Sequence, residues 1–202
     1  MLIDWKNRVR EARIMTTANT PSLTLEPAIR DDLADVGRRI QAAFAPAMEK
    51  ETGQPSTEPI PSDRELAESF DAPDAEVLHL LENGERVGGA VVVPGREAGR
   101  RALELFFIDV GREGKGLGRR AWRAIEERYP DTRVWDTFTP HFEVRNIHFY
   151  INVCGFHAVE FFHEGHPHPG PPEEPDAADR PGESFDGEDR GFRFEKVMLP
   201  LR

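Results

Sequence analysis

A chain of 202 residues, 38% of them hydrophobic, is long enough for one substantial core and short for two, so a single domain with extensions is expected. Its formal charge of −11 argues against a general affinity for nucleic acid or anionic membranes and favours encounter with cationic partners such as amines. The lone cysteine, Cys154, rules out an intrachain disulfide, and the longest apolar run, Val87 to Val93, is far below the roughly 20 residues a membrane-spanning helix needs.

The first 22 residues, MLIDWKNRVREARIMTTANTPS, lack the continuous apolar stretch and small-residue cleavage site of a secretory signal, so a cytoplasmic location is expected. Residues 1–21 show no sustained periodicity and read as a poorly ordered arm, within which Met15 is an alternative start. Residues 22–202 then form the single domain. The alternation of Leu23, Leu25 and Pro27 predicts a short edge strand, and Asp31 or Asp32 is placed to cap a helix carrying Leu33, Val36, Ile40 and Phe44. A polar, proline-bearing stretch from Glu49 to Pro61 follows, and Ser62 with Glu65 forms a capping box for a second helix through Phe70.

Glu76 to Glu82 and Arg86 to Val93 predict two antiparallel strands joined by Asn83-Gly84, a strong hairpin signal. Ala102 to Ile108 is a further strand. It runs through a glycine-rich turn into a helix from Gly116 to Arg128, whose Leu117, Ala121, Ala124 and Ile125 make the inward stripe. Thr132 to Phe138 reads as a strand, Val144 to Cys154 as a helix, and Ala158 to Phe162 and Phe192 to Met198 as the closing strands. Between residues 163 and 190, nine acids stand against Arg180 and Arg190 amid frequent prolines, which predicts a long acidic loop without a core of its own.

The chemistry is concentrated in Glu113-Gly114-Lys115-Gly116-Leu117-Gly118, between a strand and a helix. Three glycines let backbone N–H groups converge, the helix N-terminus adds partial positive charge, and Arg112, Lys115, Arg119 and Arg120 surround the turn, so it suits a pyrophosphate. No Gly-Lys-Ser/Thr follows, as a P-loop requires, and the glycine spacing of a dinucleotide fold is missing. The alternative is a plain glycine turn with a solvated basic edge.

The strand LELFFIDV and the turn EGKGLG resemble motif A of the GNAT (Gcn5-related N-acetyltransferase) superfamily, and Arg145-Asn146-Ile147-His148-Phe149-Tyr150 followed by Gly155-Phe156 resembles its motif B. The two motifs cover roughly residues 102 to 162. The resemblance implies an α/β (α+β) fold with a central mixed, mostly antiparallel sheet of six to seven strands flanked by about four helices. It implies acetyl-CoA as cosubstrate and transfer of its acetyl group to a primary amine of a small molecule or peptide, and it allows a homodimer. The strand backbones of Phe106, Phe107 and Ile108 would pair with the pantetheine arm, and Glu113, Gly114, Lys115, Gly116, Gly118 and Arg119 would meet the phosphates. Glu113 stands where the family has Gln or Arg, so its backbone is the binding part and its side chain points outward.

Asn146 and Tyr150, four apart on a helix, share a face toward the thiol arm. The resemblance makes Tyr150 the general acid for the leaving thiolate. Tyr150 precedes Gly155 by five residues rather than the usual four, which predicts a local bulge; the other reading of Tyr150 is a tyrosine packed at a helix end. Glu104, alternating onto one pleat face with Phe106 and Ile108 in an apolar strand, is the candidate base, or equally a paired structural glutamate. Backbone amides where the strands separate would stabilise the oxyanion. His163, His166 and His168 with Glu164 carry metal-ligand chemistry, but a proline-rich loop without cysteines fixes no geometry, so no metal is expected. His141 and His148 flank the cleft without an assigned role, and Trp122 and Trp135 are core candidates. A non-catalytic acyl-CoA-binding or protein-interaction module stays open as the alternative, and action on aminoacyl-tRNA is disfavoured by the charge.

Overall fold

The computed structural model describes residues 22–54, 58–114, 116–168 and 190–198. The arm 1–21, most of the acidic loop and Lys115 lie outside them. Among the described residues seven strands form one sheet: β1 Leu23–Pro27, β2 Glu76–Glu82, β3 Glu85–Pro94, β4 Arg100–Ile108, β5 Val134–Pro140, β6 His157–Phe162 and β7 Gly191–Val197. Their order is β1-β2-β3-β4-β5-β7-β6, and only β4 and β5 run parallel. The helices are α1 Leu33–Thr52, α2 Asp63–Phe70, α3 Leu117–Arg128 and α4 Val144–His148, the last continuing as a π-helical turn, Phe149–Cys154. The mixed, mostly antiparallel sheet with four helices is the architecture expected.

Two layers cover the sheet. Val36 and Ile40 of α1 and Leu66 of α2 pack on Val77, Val91 and Phe107, whereas Trp122 and Ile125 of α3 pack with Leu78, Leu103, Trp135, Tyr150 and Phe156 on the other face. Trp122 and Trp135 are both core residues, edge to face at 5.2 Å. The buried stripe of α3 is Leu117, Ala121, Trp122 and Ile125; Trp122 rather than Ala124 turns fully inward. The hairpin turn adopts the expected form, with Asn83 and Gly84 both at positive φ.

Two expectations at α1 are corrected. Asp32 does not cap the helix: its carboxylate accepts from the Ile29 N–H at 3.3 Å and pairs with His79 and Arg86, each at 3.1 Å, so it ties the helix start to the sheet. The helix also does not stop at Glu49 but runs over Pro46 to Thr52 and ends on Gly53 in the left-handed conformation. The Ser62–Glu65 capping box forms as expected.

β4 and β5 are paired only at Arg100↔Val134, Arg101↔Trp135 and Ala102↔Asp136. Beyond that point they separate. So short a ladder is reinforced by side chains: Arg100 bridges Asp136 (2.7 Å) and Glu195 (2.6 Å), Arg193 bridges Glu195 (2.7 Å) and Glu160 (3.0 Å), and His166 reaches Glu160 at 2.8 Å. This chain of charges links β4, β5, β7 and the β6 end on one face, and holds the closed end of the split shut.

Candidate active site

Past Ala102, the β5-facing edge of β4 has no strand partner, although its other edge stays paired: Phe106↔Ala90, Phe107↔Gly89 and Ile108↔Gly88. The backbones of Phe106, Phe107 and Ile108 therefore border an open wedge, where unpaired amide and carbonyl groups can accept an extended chain. At the mouth of the wedge the chain turns through Asp109–Gly116 into α3. Gly111, Gly114 and Gly116 all have positive φ, the conformation that turns successive amides toward one point. The base of this turn is held by Arg39 of α1, whose guanidinium donates twice to the Asp109 carboxylate at 3.0 and 2.6 Å. Leu117 and Arg120 donate to the Gly114 and Gly116 carbonyls, and the first-turn amides at Gly118 and Arg119 belong to the positive end of α3. A groove of about 470 Å³ between α1 and α2, lined by Leu33, Gly37, Leu66 and Phe70, lies apart from this wedge.

Three elements meet over the turn. Phe106 of β4 stacks on Phe149 at 5.4 Å with the rings 7° from parallel, and Gly118 of α3 lies against the same Phe149 ring. A Cβ at Gly118 would stand 2.9 Å from that ring, so glycine is what lets the helix start sit this close.

The expected bulge near Tyr150 is the π-helical turn. The Gly155 and Phe156 N–H groups both donate to the Tyr150 carbonyl, Phe156 at 2.9 Å, which absorbs the extra residue before the Gly-Phe pair. The turn rolls Tyr150 inward until it is 5% exposed. The Thr137 and Thr139 hydroxyls of β5 act on its phenol from nearby and oppose the effect of burial, and Thr137 donates to the Leu103 carbonyl at 2.9 Å. The phenol thus sits at the wall of the wedge, where burial pushes its pKa up and keeps it protonated at physiological pH. Asn146 is half-buried on α4, one turn earlier.

The alternation of β4 is interrupted at Glu104. Leu103 pairs with Val92 and Leu105 with Val91, so Glu104 is the extra residue of a β-bulge, and the alternation breaks at it. Leu103 and Phe106 both join the core on the α3 side. The Glu104 carboxylate is reached by solvent yet closely surrounded by protein, as in a groove; partial burial raises its pKa, and His168 pulls it back. His168 packs on Phe138 at 5.1 Å and Phe162 at 4.6 Å, and Phe138 is on the β5 face opposite Thr137 and Thr139.

One buried titratable group has no signal in the sequence. Glu143, just before α4, is 6% exposed, and its carboxylate has no hydrogen bond or ion pair among the described residues. Burial raises its pKa, with Arg145 opposing. An acid in a polar turn before an Arg-Asn pair carries no sign of burial, so only the packing reveals it. Because its folded pKa lies above the ordinary value, the neutral form suits the fold: the benefit is complete below the usual glutamate range and is lost as pH rises through the folded pKa. Glu143→Gln is therefore expected to melt higher than wild type at pH 8, by about 2 °C or more, and to match it at pH 4. Thermal unfolding at the two pH values checks this.

Of the other candidates, Cys154 is buried behind the Gly155 turn and its thiol pKa is pushed up by burial, unlike an activated nucleophile. His141 lies against the Arg190 carbonyl, and His148 contacts Asn152. His163 and His166 close a small turn through reciprocal backbone bonds, and no group of three metal-ligating side chains converges among the described residues. No helix among the described residues is long and apolar enough to cross a membrane.

The sequence pattern of the acetyltransferase (GNAT) family matches residues 42–156, which include β4, the glycine turn, α3 and the π-helical turn. An uncharacterised protein of Bacillus subtilis, YrkN, is 44% identical over 184 residues, covering 91% of this chain and 98% of its own length. Among solved structures, an acetyltransferase from Thermus thermophilus superposes with a TM-score of 0.58 at 19% identity, covering 88% of this chain and 97% of that one. An acetyltransferase of Bacillus subtilis in complex with CoA gives 0.57 at 16% identity, over 88% of this chain and 100% of the other. The spermidine N-acetyltransferase of Vibrio cholerae, in complex with CoA and spermine, gives 0.56 at 15% identity, over 87% and 95%. With its split β4–β5 pair, glycine turn and family match, the chain belongs to the GNAT family of acetyltransferases.

Proposed function

We propose that the protein is an acetyl-CoA-dependent N-acetyltransferase that moves the acetyl group directly to a primary amine while both substrates are bound. The observation that carries this reading is the split itself: one open strand edge ending in a glycine turn, with a protonated phenol packed near β5 and a groove-lying carboxylate on β4. CoA-bound and amine-named structures share the fold. Acetyl-CoA supplies the thioester, whose carbonyl carbon the amine attacks as the C–S bond breaks. Phe106, Phe107 and Ile108 hold the pantetheine arm through their backbones, and the amides of Glu113, Gly114, Lys115, Gly116, Gly118 and Arg119 receive the phosphates. Asn146 lies along the same arm. Glu104 takes a proton from the incoming ammonium, and Tyr150 donates toward the departing sulfur.

The acceptor is a small molecule or peptide amine. Calorimetric titration is expected to show binding of acetyl-CoA and none of NAD or ATP, and an amine screen by thiol release is expected to find turnover that Glu104→Gln lowers about a hundredfold or more. Absence of acetyl-CoA binding would sink the reading. A second reading, a non-catalytic acyl-CoA-binding module, draws on the burial of Tyr150 against Phe149, Phe156 and Phe194, which suits a purely structural tyrosine as well. Thiol release with any amine decides against it.

A further inference from the structure

The family position occupied by Gln or Arg is Glu113 here, and the structure shows what its carboxylate does. It does not point away. One oxygen accepts the Gly111 N–H at 2.7 Å, so an anion is already seated on an amide of the glycine turn. The backbone amides of Glu113 and Gly111, with Arg145, hold its pKa below the usual carboxylate range. The other oxygen faces the Arg145 guanidinium across the mouth of the split at 3.5 Å. That contact joins the turn to the start of α4, and it is the only ion pair of Arg145 among the described residues. The guanidinium is 70% exposed and the distance is long for a charge-assisted pair, so little is lost when a better anion replaces the carboxylate.

We infer that the Glu113 carboxylate is a built-in stand-in for a coenzyme phosphate, and that Arg145 is a phosphate ligand which it holds in place until the coenzyme arrives. The inference rests on the acetyl-CoA reading above. A phosphate entering the turn competes with the carboxylate for the turn's amide and for Arg145. Its greater charge and additional acceptor oxygens make it the stronger partner for a planar guanidinium. Arg145 then passes from Glu113 to the phosphate without leaving the mouth of the split, and Glu113 swings out to solvent.

Calorimetry with CoA on the full chain tests this. Arg145→Ala is expected to raise the Kd about tenfold or more, and Glu113→Gln, which keeps the shape but removes the resident anion, to lower it about threefold. The Arg145 effect should shrink in high salt, and both variants should melt within a degree or so of wild type because the pair is exposed. Repeating the titration with dephospho-CoA locates the contact: a persisting Arg145 penalty assigns the pyrophosphate, a vanishing one the 3′-phosphate, and either supports the role. Unchanged affinity in Arg145→Ala, or weakening by Glu113→Gln comparable to that of Arg145→Ala, would overturn it while leaving acetyl-CoA binding by the wild type intact. No binding by the wild type would instead remove the reading on which the inference stands.

Discussion

Tyr150→Phe is expected to lower kcat about a hundredfold while leaving the Kd for acetyl-CoA within about twofold of wild type. The phenol is the polar group that the π-helical turn delivers to the wall of the split, and the substitution removes one oxygen from a ring already packed by Phe149, Phe156 and Phe194. Ring packing survives, so binding surfaces survive. What is lost is a donor that burial keeps protonated. Such a donor helps only as charge grows on the sulfur, which is why the loss should fall on turnover rather than affinity. Steady-state kinetics beside calorimetry separates the two. Full activity in Tyr150→Phe would return the residue to a packing role and favour water or a backbone group as the proton source.

The largest binding effect is expected at Gly116. Its φ of +71° is the left-handed region, which costs an ordinary L-residue about 1–2 kcal/mol and a β-branched one more. A Cβ there meets nothing within 4 Å, so the penalty is one of backbone conformation, not of space. Gly116→Val should accordingly reshape the turn, scatter the amides that converge on it, and weaken acetyl-CoA about a hundredfold, with only a small change in melting temperature because the turn is exposed. Gly116→Asn is the control. Asparagine tolerates the left-handed region, so it should retain most of the affinity. Equal binding by Gly116→Val and wild type would disprove the phosphate-cradle assignment.

Much of the architecture is written locally. Periodicity places β2 within its observed bounds, Asn83-Gly84 specifies the hairpin, and Ser62 with Glu65 begins α2 as their spacing requires. The five-residue step from Tyr150 to Gly155 announces an irregular helix, and the π-helical turn is its form. Each of these signals acts within a few residues, where backbone sterics and short hydrogen bonds dominate. Asp32 shows the limit of such reasoning: its local chance to cap α1 loses to His79 and Arg86, which are distant in sequence and invisible to a local pattern.

The sequence by itself determined the order of strands and helices, the glycine turn at the start of α3 and the family to which both motifs point, because those depend on residue type at short spacing. Only the tertiary structure decided where the chemistry lies. The bulge that breaks the alternation at Glu104 arises from pairing with Val91 and Val92, the burial of Glu143 arises from packing, and the seat of Glu113 on the Gly111 amide arises from the backbone path between β4 and α3. All three are set by contacts between residues whose individual propensities say nothing of them. A carboxylate's role follows from which dipoles and charges surround it, and the fold alone brings those together.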